Sequence, residues 1–327
     1  AQLVHRLFQE KQVQALVSRI RTFPSRPTVY VEVMRELRSS NASPDTVGEL
    51  VSQDLAISAK LLQITNSAFF GFKRPIQSPG EAVMLLGMQT TASLILGIEA
   101  FARLDNVKLL LFSTDQIWKH SQAVAHSAKA IAEMMTGSSD LAHDAYTGAL
   151  LHDIGKLALG VNLEEQYQHA LEIAKQSKRP LFEVEKDIFG ATHAQAGAFL
   201  LSLWGLPAAV IEAVASHHLP APQLGSTFTP TIAVHLANAL EHAHQSARID
   251  EPEPQTDLEY AEELGIAPRL EELKEIVRKA VRPTADVTQF IRKTPVQQNT
   301  PARAAAQPMA DLSPNGWWAK FRALLAA

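Results

Sequence analysis

The sequence predicts an all-α protein, a multi-helix bundle made of an N-terminal and a C-terminal helical lobe. Apolar residues recur at spacings of three and four, as in the stripe of Ile117, Val124 and Ala128, which is typical of amphipathic helices. Glycine is sparse, at 15 of 327 residues, and no proline occurs between Pro79 and Pro180, which permits long helices. No clear run of alternating Val, Ile and Thr bounded by Asn-Gly or Asp-Gly turns indicates strands.

Along the chain, residues 1–14 are predicted as an N-terminal helix and linker, ahead of a main domain at 15–248. Its N-terminal lobe spans about 15–110, with helix breaks at the Pro-containing or Asn-containing stretches 23–27, 41–44 and 72–79. Its second lobe spans about 111–248. That lobe contains nearly all of the histidines that lie on apolar stripes.

The remaining residues, 249–327, are predicted as a C-terminal helix and a partly disordered tail. An acidic, proline-rich segment precedes one amphipathic helix at about 268–281, and the following KTPVQQNTPARAAAQPMADLSPNG is typical of a disordered linker. The terminal WWAKFRALLAA, with Trp317 and Trp318, has the pattern of a short amphipathic helix, for which docking on the protein's own body is favoured over a partner or a membrane.

Composition excludes several classes of function. Thirty Lys and Arg against 34 Asp and Glu give a net charge of −4, so no DNA binding through a broad basic face is expected. The absence of cysteine excludes disulfides, thiolate zinc sites and cysteine nucleophiles. No apolar run is long enough to span a membrane, and the N-terminus lacks the apolar core of a signal peptide, so a cytoplasmic location is expected.

Five histidines and one aspartate are the candidate metal ligands. His120 lies on the apolar stripe of its helix, His193 begins another helix, and the predicted positions of all six face the interior. Buried polar groups need partners, and so many imidazoles with a carboxylate are better explained by an ion than by five separate hydrogen-bonded core residues. The six residues are His120, His152, Asp153, His193, His217 and His218.

Imidazole and carboxylate ligands suit divalent iron or manganese, with zinc, nickel and cobalt as alternatives. The adjacent pair His152-Asp153 is predicted within one helical run, and its carboxylate could bridge two metals, so one or two ions are expected. The other histidines are predicted to lie at the surface: His5, His126, His143, His169, His235, His242 and His244.

The order of these residues resembles the HD superfamily of metal-dependent phosphohydrolases. GALLHDIGKL at 148–157 is similar to the central motif of that superfamily. EKDIFGATHAQAGAFLLSLWGLP followed by His217-His218, together with TNSAFFGFKRPIQSPGEAVMLLG at 65–87, resembles the HDOD subgroup, the HD-related output domain. The resemblance covers about residues 15–245 and implies that the C-terminal lobe is HD-like.

The sequence departs from the superfamily pattern at the last ligand. Asn238 stands where the resemblance implies an aspartate, and an amide oxygen neither offsets the charge of a cation nor acts as a base. The Gly-Tyr-Pro motif of the related phosphodiesterases of cyclic di-GMP is also absent after His218. Lys156, one turn after His152, could contact a phosphate or be an ordinary solvated residue, and Gly155 could allow close helix packing.

HDOD proteins are mostly signalling or scaffolding modules, often joined to receiver domains. The resemblance therefore implies a signal-transduction output module of the response-regulator type that retains an HD-like metal site. It would act by binding signalling proteins or a nucleotide messenger. The alternative is a metal-dependent phosphohydrolase or cyclic-dinucleotide phosphodiesterase, and an empty polar pocket in a scaffolding fold is a third hypothesis.

Overall fold

The computed structural model describes residues 9–20, 27–67, 70–103, 114–218, 227–249 and 265–280. Within these ranges the chain is helical and contains no β-strand, so the predicted all-α class is confirmed. The helices are α1 (Lys11–Arg19), α2 (Thr28–Glu36), α3 (Pro44–Ser52), α4 (Leu55–Thr65), α5 (Pro79–Leu86), α6 (Met88–Arg103), α7 (Thr114–Thr136), α8 (Ser139–Leu151), α9 (Ile154–Asn162), α10 (Glu164–Ser177), α11 (Leu181–Phe189), α12 (His193–Leu203), α13 (Ala208–Ser216), α14 (Pro230–Ile249) and α15 (Leu270–Ala280).

In the N-terminal part of the chain, helices α3, α4 and α5 begin at side-chain caps that the sequence provides. Ser43 and Thr46 form a capping box at α3, Asp54 accepts two backbone N–H bonds at α4, and Ser78 caps α5. Proline occupies the first position of α3 and of α5, where its missing N–H removes no helical hydrogen bond. These caps satisfy the otherwise unpaired first N–H groups of each helix.

Two polar side chains in the N-terminal part of the chain, Asn66 and Glu99, bind backbone groups of other segments. Asn66, at the end of α4, donates to the carbonyl of Ile76 at 2.8 Å and accepts from its N–H at 2.6 Å. Glu99 in α6 is buried and accepts from the N–H groups of Thr28 and Tyr30 at 3.0 and 2.9 Å. Its negative charge therefore lies at the positive N-terminal end of α2.

Helix α8 lies at the centre of the C-terminal lobe. It packs against α6, α7, α13 and α14, and the continuous run 145–155, from α8 into α9, is buried. Trp118 of α7 and Trp204 at the end of α12 are buried. The polar residues at the end of this run are consequently held within the core and not at its edge.

A C-terminal helix packs on the body beyond the second lobe. The sequence predicted a helix at about 268–281, and the structure has a 3₁₀ turn at Ala267–Arg269 followed by α15. Leu273 and Val277 are buried against α7 and α14, and Arg269 donates to the carbonyl of Met134 near the end of α7 at 3.1 Å. The predicted helix with Trp317 and Trp318 lies outside the described residues.

Among the described helices, none alone has the length and apolar character needed to cross a membrane. Helices α5 and α6 meet those criteria only when they are taken together across a 119° bend.

Candidate metal centre

His152 and Asp153 lie in a break between α8 and α9, whereas the sequence predicted them inside one helix. In a continuous helix, neighbouring side chains point about 100° apart. The chain turns at Asp153, whose φ and ψ are −97° and 5°, and the two side chains consequently reach the same buried space. The apolar periodicity continues across the break, because both helices bury the faces next to it.

Asp153 occupies the N-cap position of α9 but makes no side-chain cap hydrogen bond. An aspartate at this position ordinarily accepts from the first turn of its helix, an interaction that contributes about 1 kcal/mol. Here the carboxylate is 2% exposed and faces histidines instead. The carboxylate of Asp153 therefore serves the cluster and not the first turn of its own helix.

Two glycines let α9 and α12 approach closely enough to bring Asp153 next to His193. A Cβ atom added at Gly155 would overlap the carbonyl oxygen of His193 and lie 2.7 Å from its carbonyl carbon. A Cβ atom added at Gly197 would lie 3.0 Å from the backbone nitrogen of Gly155. Close helix packing at Gly155, which the sequence left open, is what the structure contains. At this crossing Asp153 Oδ1 lies 3.2 Å from His193 Nε2.

All six predicted ligands come together in two groups that share Asp153. In each group, one potential ligand atom of every member lies within 4.8 Å of those of the others. The first is called the His120 group and consists of His120, His152 and Asp153. The second is called the His193 group and consists of Asp153, His193, His217 and His218.

Four of the five imidazoles have their Nδ1 atom engaged by an acceptor outside the cluster. His152 and His217 must donate from Nδ1, because their partners are backbone carbonyls. The Nε2 atoms of these two rings are then left as acceptors that face the cluster. The four Nδ1 pairs are His120 with Glu241 at 2.6 Å, His152 with Ala149 O at 2.6 Å, His193 with Glu185 at 2.7 Å and His217 with Val214 O at 2.7 Å. This arrangement is typical of histidines that bind a metal.

Two buried atoms at the centre have no hydrogen-bond partner. They are Asp153 Oδ1 and His217 Nε2, which lie 3.8 Å apart. His193 Nε2 is close to Asp153 Oδ1 but lies outside hydrogen-bond geometry. Ligand atoms about 2.1 Å from one ion are separated by about 3.0 to 3.4 Å at octahedral or tetrahedral angles. The 3.2 Å between Asp153 Oδ1 and His193 Nε2 falls in this range, and the 3.8 Å between Asp153 Oδ1 and His217 Nε2 is slightly longer. Both unpartnered atoms accept and neither donates, so the donor set fits a cation.

The electrostatics of the cluster favour an ionised Asp153 beside neutral His217 and His218. Burial alone raises the pKa of Asp153, but His152, Lys156 and His193 outweigh it and hold that pKa well below its usual value. Burial holds the pKa of His217 and of His218 well below the usual value.

Two other imidazoles of the site, His120 and His193, face carboxylates and behave differently. Burial lowers the pKa of His120 and of His193, but Glu241 and Asp153 outweigh it at His120. Glu185 and Asp153 do the same at His193, so both pKa values are raised.

Two carboxylates of the site were not predicted from the sequence. Glu185 in α11 is fully buried, and it accepts from Tyr167 at 2.8 Å and from the N–H of His193 at 2.8 Å as well as from the imidazole. Glu241 in α14 is 1% exposed and pairs with His120. The position of Glu241 three residues after Asn238, on the same helix face, was the one available signal.

Five histidines that were predicted at the surface are partly buried: His126, His143, His235, His242 and His244. His126 packs edge-on against Phe70 and Tyr146. His235 donates from Nδ1 to the carbonyl of His217 at 3.0 Å, and the His242 ring lies 4.8 Å from that of His120. The prediction was wrong for these residues because it considered only one stripe on each helix, and neighbouring helices cover a second face.

Asn238 and Lys156 have different environments. Asn238 is 4% exposed, and its Oδ1 is a third buried acceptor with no hydrogen-bond partner. Lys156 is not an ordinary solvated residue, because its ammonium lies 2.7 Å from Asp153 Oδ2 and its side chain is 16% exposed. It is the cation of the cluster.

The helical bundle and the buried cluster of imidazoles around one carboxylate define an HD-type protein. The profile of the HDOD domain family matches residues 23–220, and the chain belongs to this family. The resemblance read from the motifs is thereby confirmed. In sequence, the chain is 28% identical over 229 residues to an uncharacterized protein of Treponema pallidum (strain Nichols). That match covers 68% of this chain and 43% of the relative, so the chain spans less than half the length of that protein.

Solved structures show the same fold. An HDOD domain protein of unknown function from Geobacter sulfurreducens is 21% identical, with a TM-score of 0.66 over 84% of this chain and 93% of its own. A provisionally named signal transduction protein from Marinobacter aquaeolei VT8 is 22% identical, with a TM-score of 0.64 over 79% and 57%. A provisionally named metal-dependent phosphohydrolase from Shewanella amazonensis SB2B is 20% identical, with a TM-score of 0.53 over 85% and 98%.

Proposed function

We propose that this chain is a regulatory output module that binds a divalent metal in its His/Asp cluster and acts through protein partners or a nucleotide messenger. The observation that supports metal binding is the pair of buried acceptors without a hydrogen-bond partner, Asp153 Oδ1 and His217 Nε2. Leaving such atoms without a partner in the core costs free energy, and a cation removes that cost at both atoms together.

The His193 group is the principal metal site in this proposal. It offers three imidazoles and the free oxygen of Asp153, and Glu185 holds His193 in position. A second ion, where one binds, is held by the His120 group. Iron or manganese is the expected ion, since neutral imidazole and carboxylate ligands suit both.

Regulation is favoured over hydrolysis by two features of the chain. Asn238 supplies a neutral amide where the superfamily has an aspartate, and Lys156 already engages Asp153 Oδ2. A second cation there meets less negative charge than two-metal hydrolysis requires. The module would then bind a partner or messenger without consuming it.

A protein partner is supported by exposed apolar side chains on two helices that pack together. Leu55 of α4 is 83% exposed, and Met84 and Leu85 of α5 are 61% and 48% exposed. Exposed apolar side chains of this size are found at protein–protein contacts. A nucleotide messenger is supported by Lys156, whose side chain is 16% exposed and whose positive charge suits a phosphate.

Phosphohydrolase activity is the second candidate, favoured by the number of imidazoles that the cluster retains. A bound divalent ion would lower the pKa of a water molecule and polarise a phosphoryl oxygen. In this chain, Lys156 would orient the phosphate and His242 would line the approach. The two candidates share the metal and differ in whether a phosphodiester bond is broken.

The first test is the metal content of protein purified without chelator, for wild type, Asp153→Asn and Asp140→Asn. Asp140 is an exposed aspartate of α8, so its variant is the matched control. One or two ions per chain are expected in wild type and in the control, with loss in Asp153→Asn. A wild type that takes up no Fe²⁺ or Mn²⁺ under anaerobic conditions contradicts the proposal.

The second test separates regulation from hydrolysis in the metal-loaded protein. Cyclic di-GMP is titrated by calorimetry, and its hydrolysis is followed by chromatography in wild type and Asn238→Asp. Binding without turnover supports a messenger, and an absence of binding leaves protein partners. Rapid turnover by wild type would establish the phosphohydrolase. A gain of turnover confined to Asn238→Asp would identify the amide as the reason that wild type is inactive.

A further inference from the structure

Lys156 has a position in the cluster that a phosphate contact does not require. Its ammonium lies 2.7 Å from Asp153 Oδ2, a short charge-assisted hydrogen bond between residues three apart. The same oxygen lies 3.5 Å from His152 Nε2 and 3.9 Å from His120 Nε2. Oδ2 is therefore the oxygen of Asp153 nearest to the His120 group, and the lysine already occupies it.

The charges explain why a cation is needed at this oxygen. Asp153 is 2% exposed, and an ionised carboxylate buried without a partner is strongly destabilising. Its other oxygen, Oδ1, has no hydrogen-bond partner. The ammonium of Lys156 is therefore the charge that compensates Asp153 when no ion is bound.

A metal ion in the His120 group would need the same oxygen. An ion about 2.1 Å from Oδ2 would lie within about 5 Å of an ammonium that stayed in place, and the two positive charges would repel each other with little solvent between them. The lysine is able to leave: it lies in the first turn of α9 on a flexible four-carbon chain, and its side chain is 16% exposed.

We propose that Lys156 is a tethered cation that neutralises Asp153 in the metal-free protein and is displaced when an ion enters the His120 group. This inference rests on the proposed metal site and adds to it a competition within the chain. The ammonium stabilises the empty cluster and weakens binding of the ion at the His120 group, while the His193 group uses Oδ1 and is affected less.

The experiment compares wild type, Lys156→Met, Lys156→Arg and the control Lys129→Met, which removes a half-buried lysine from α7. Mn²⁺ binding is measured by calorimetry, and the unfolding temperature is measured with and without Mn²⁺. Methionine keeps the length of the side chain without its charge. Arginine keeps the charge.

For Lys156→Met we expect a lower unfolding temperature without metal, a larger rise on adding Mn²⁺, and at least about tenfold tighter binding of the weaker ion. Lys156→Arg and Lys129→Met should bind Mn²⁺ as wild type does. A Lys156→Met protein that folds only when Mn²⁺ is added would also support the proposal.

Unchanged or weaker Mn²⁺ binding by Lys156→Met, beside a wild type that binds Mn²⁺, would overturn the tethered cation and leave the metal site intact. Absence of Mn²⁺ and Fe²⁺ binding in wild type and in Lys156→Met would instead remove the metal site itself, and the tethered cation with it. The two failures are therefore distinguishable.

Discussion

The His193 group and the His120 group share one aspartate but differ in how complete they are. The His193 group combines three imidazoles with Asp153 Oδ1, which has no hydrogen-bond partner. The His120 group has two imidazoles, and its nearest carboxylate oxygen is bound to Lys156. One half of the site is thus ready for a cation, and the other half already contains one.

The carboxylates that support the two groups also differ, in the contacts that they make and in the exposure of the ring that each of them binds. Glu185 accepts from Tyr167 and from both the N–H and the ring of His193, and it lies at 0% exposure. Glu241 binds the ring of His120, which remains 10% exposed at the edge of the cluster. A rigid, dry set of ligands loses less on binding an ion than a set that must first rearrange. We therefore expect the first ion in the His193 group.

The largest effect is expected where both halves depend on one contact, the crossing of α9 and α12. An Ala at Gly155 overlaps the backbone of His193, so Gly155→Ala must separate the two helices and move Asp153 away from His193. We expect destabilisation by about 3 kcal/mol or more and loss of bound metal, measured by chemical denaturation and elemental analysis.

Gly197→Ala is the matched control at the same crossing. Its added methyl group meets Ile154 and Gly155 at 3.0 to 3.2 Å, distances that small shifts relieve. It should cost no more than about 1 kcal/mol and should keep the metal. Equal effects of the two variants would show that the crossing does not position Asp153.

The next largest effect is expected when one imidazole is removed from either the His193 group or the His120 group. His217→Ala deletes a ligand of the His193 group, and His152→Ala deletes one of the His120 group; both are buried at the end of a helix. Because the His193 group is the more complete, His217→Ala should abolish the tight ion. His152→Ala should retain it and lose only the weaker one.

Calorimetric titration with Mn²⁺ resolves the two cases by their stoichiometry. Circular dichroism of each variant provides the check on folding. Loss of the tight ion in His152→Ala, with retention in His217→Ala, would reverse the comparison between the halves.

The sequence contained enough to predict which residues come together in the cluster, but not which side chains support them. His120, His193 and His217 could be placed because each lies on an apolar stripe, and burial of such a stripe brings its polar residue into the core. The acceptors of their Nδ1 atoms could not be predicted. Which side chain meets the back of an imidazole depends on how separate helices pack, and Glu185 and Glu241 have no local pattern in common.

The break at His152-Asp153 was missed for a related reason. Periodicity reports which faces are buried, and both α8 and α9 bury theirs, so the pattern runs through the turn. A break is needed there because a continuous helix would point the side chains of two adjacent residues about 100° apart, away from one common site. Asn66, by contrast, satisfies backbone groups at the end of α4, which is a local role common for asparagine.

The smallest effect should come from the supporting carboxylates, through Glu185→Gln and Glu241→Gln. Each change keeps the size of the side chain and removes the negative charge behind one imidazole. Outer partners of this kind typically change metal affinity about 10- to 100-fold.

For Glu185→Gln we expect a loss of affinity within that range for the tight ion, because its carboxylate holds the backbone and the ring of His193 together. For Glu241→Gln only the weaker ion should be affected. The affinity for Mn²⁺ is measured for each variant and compared with the free energy of unfolding of the same variant without metal. A loss of affinity that merely followed the loss of stability would assign Glu185 to the core, whereas a loss at nearly unchanged stability assigns it to positioning His193.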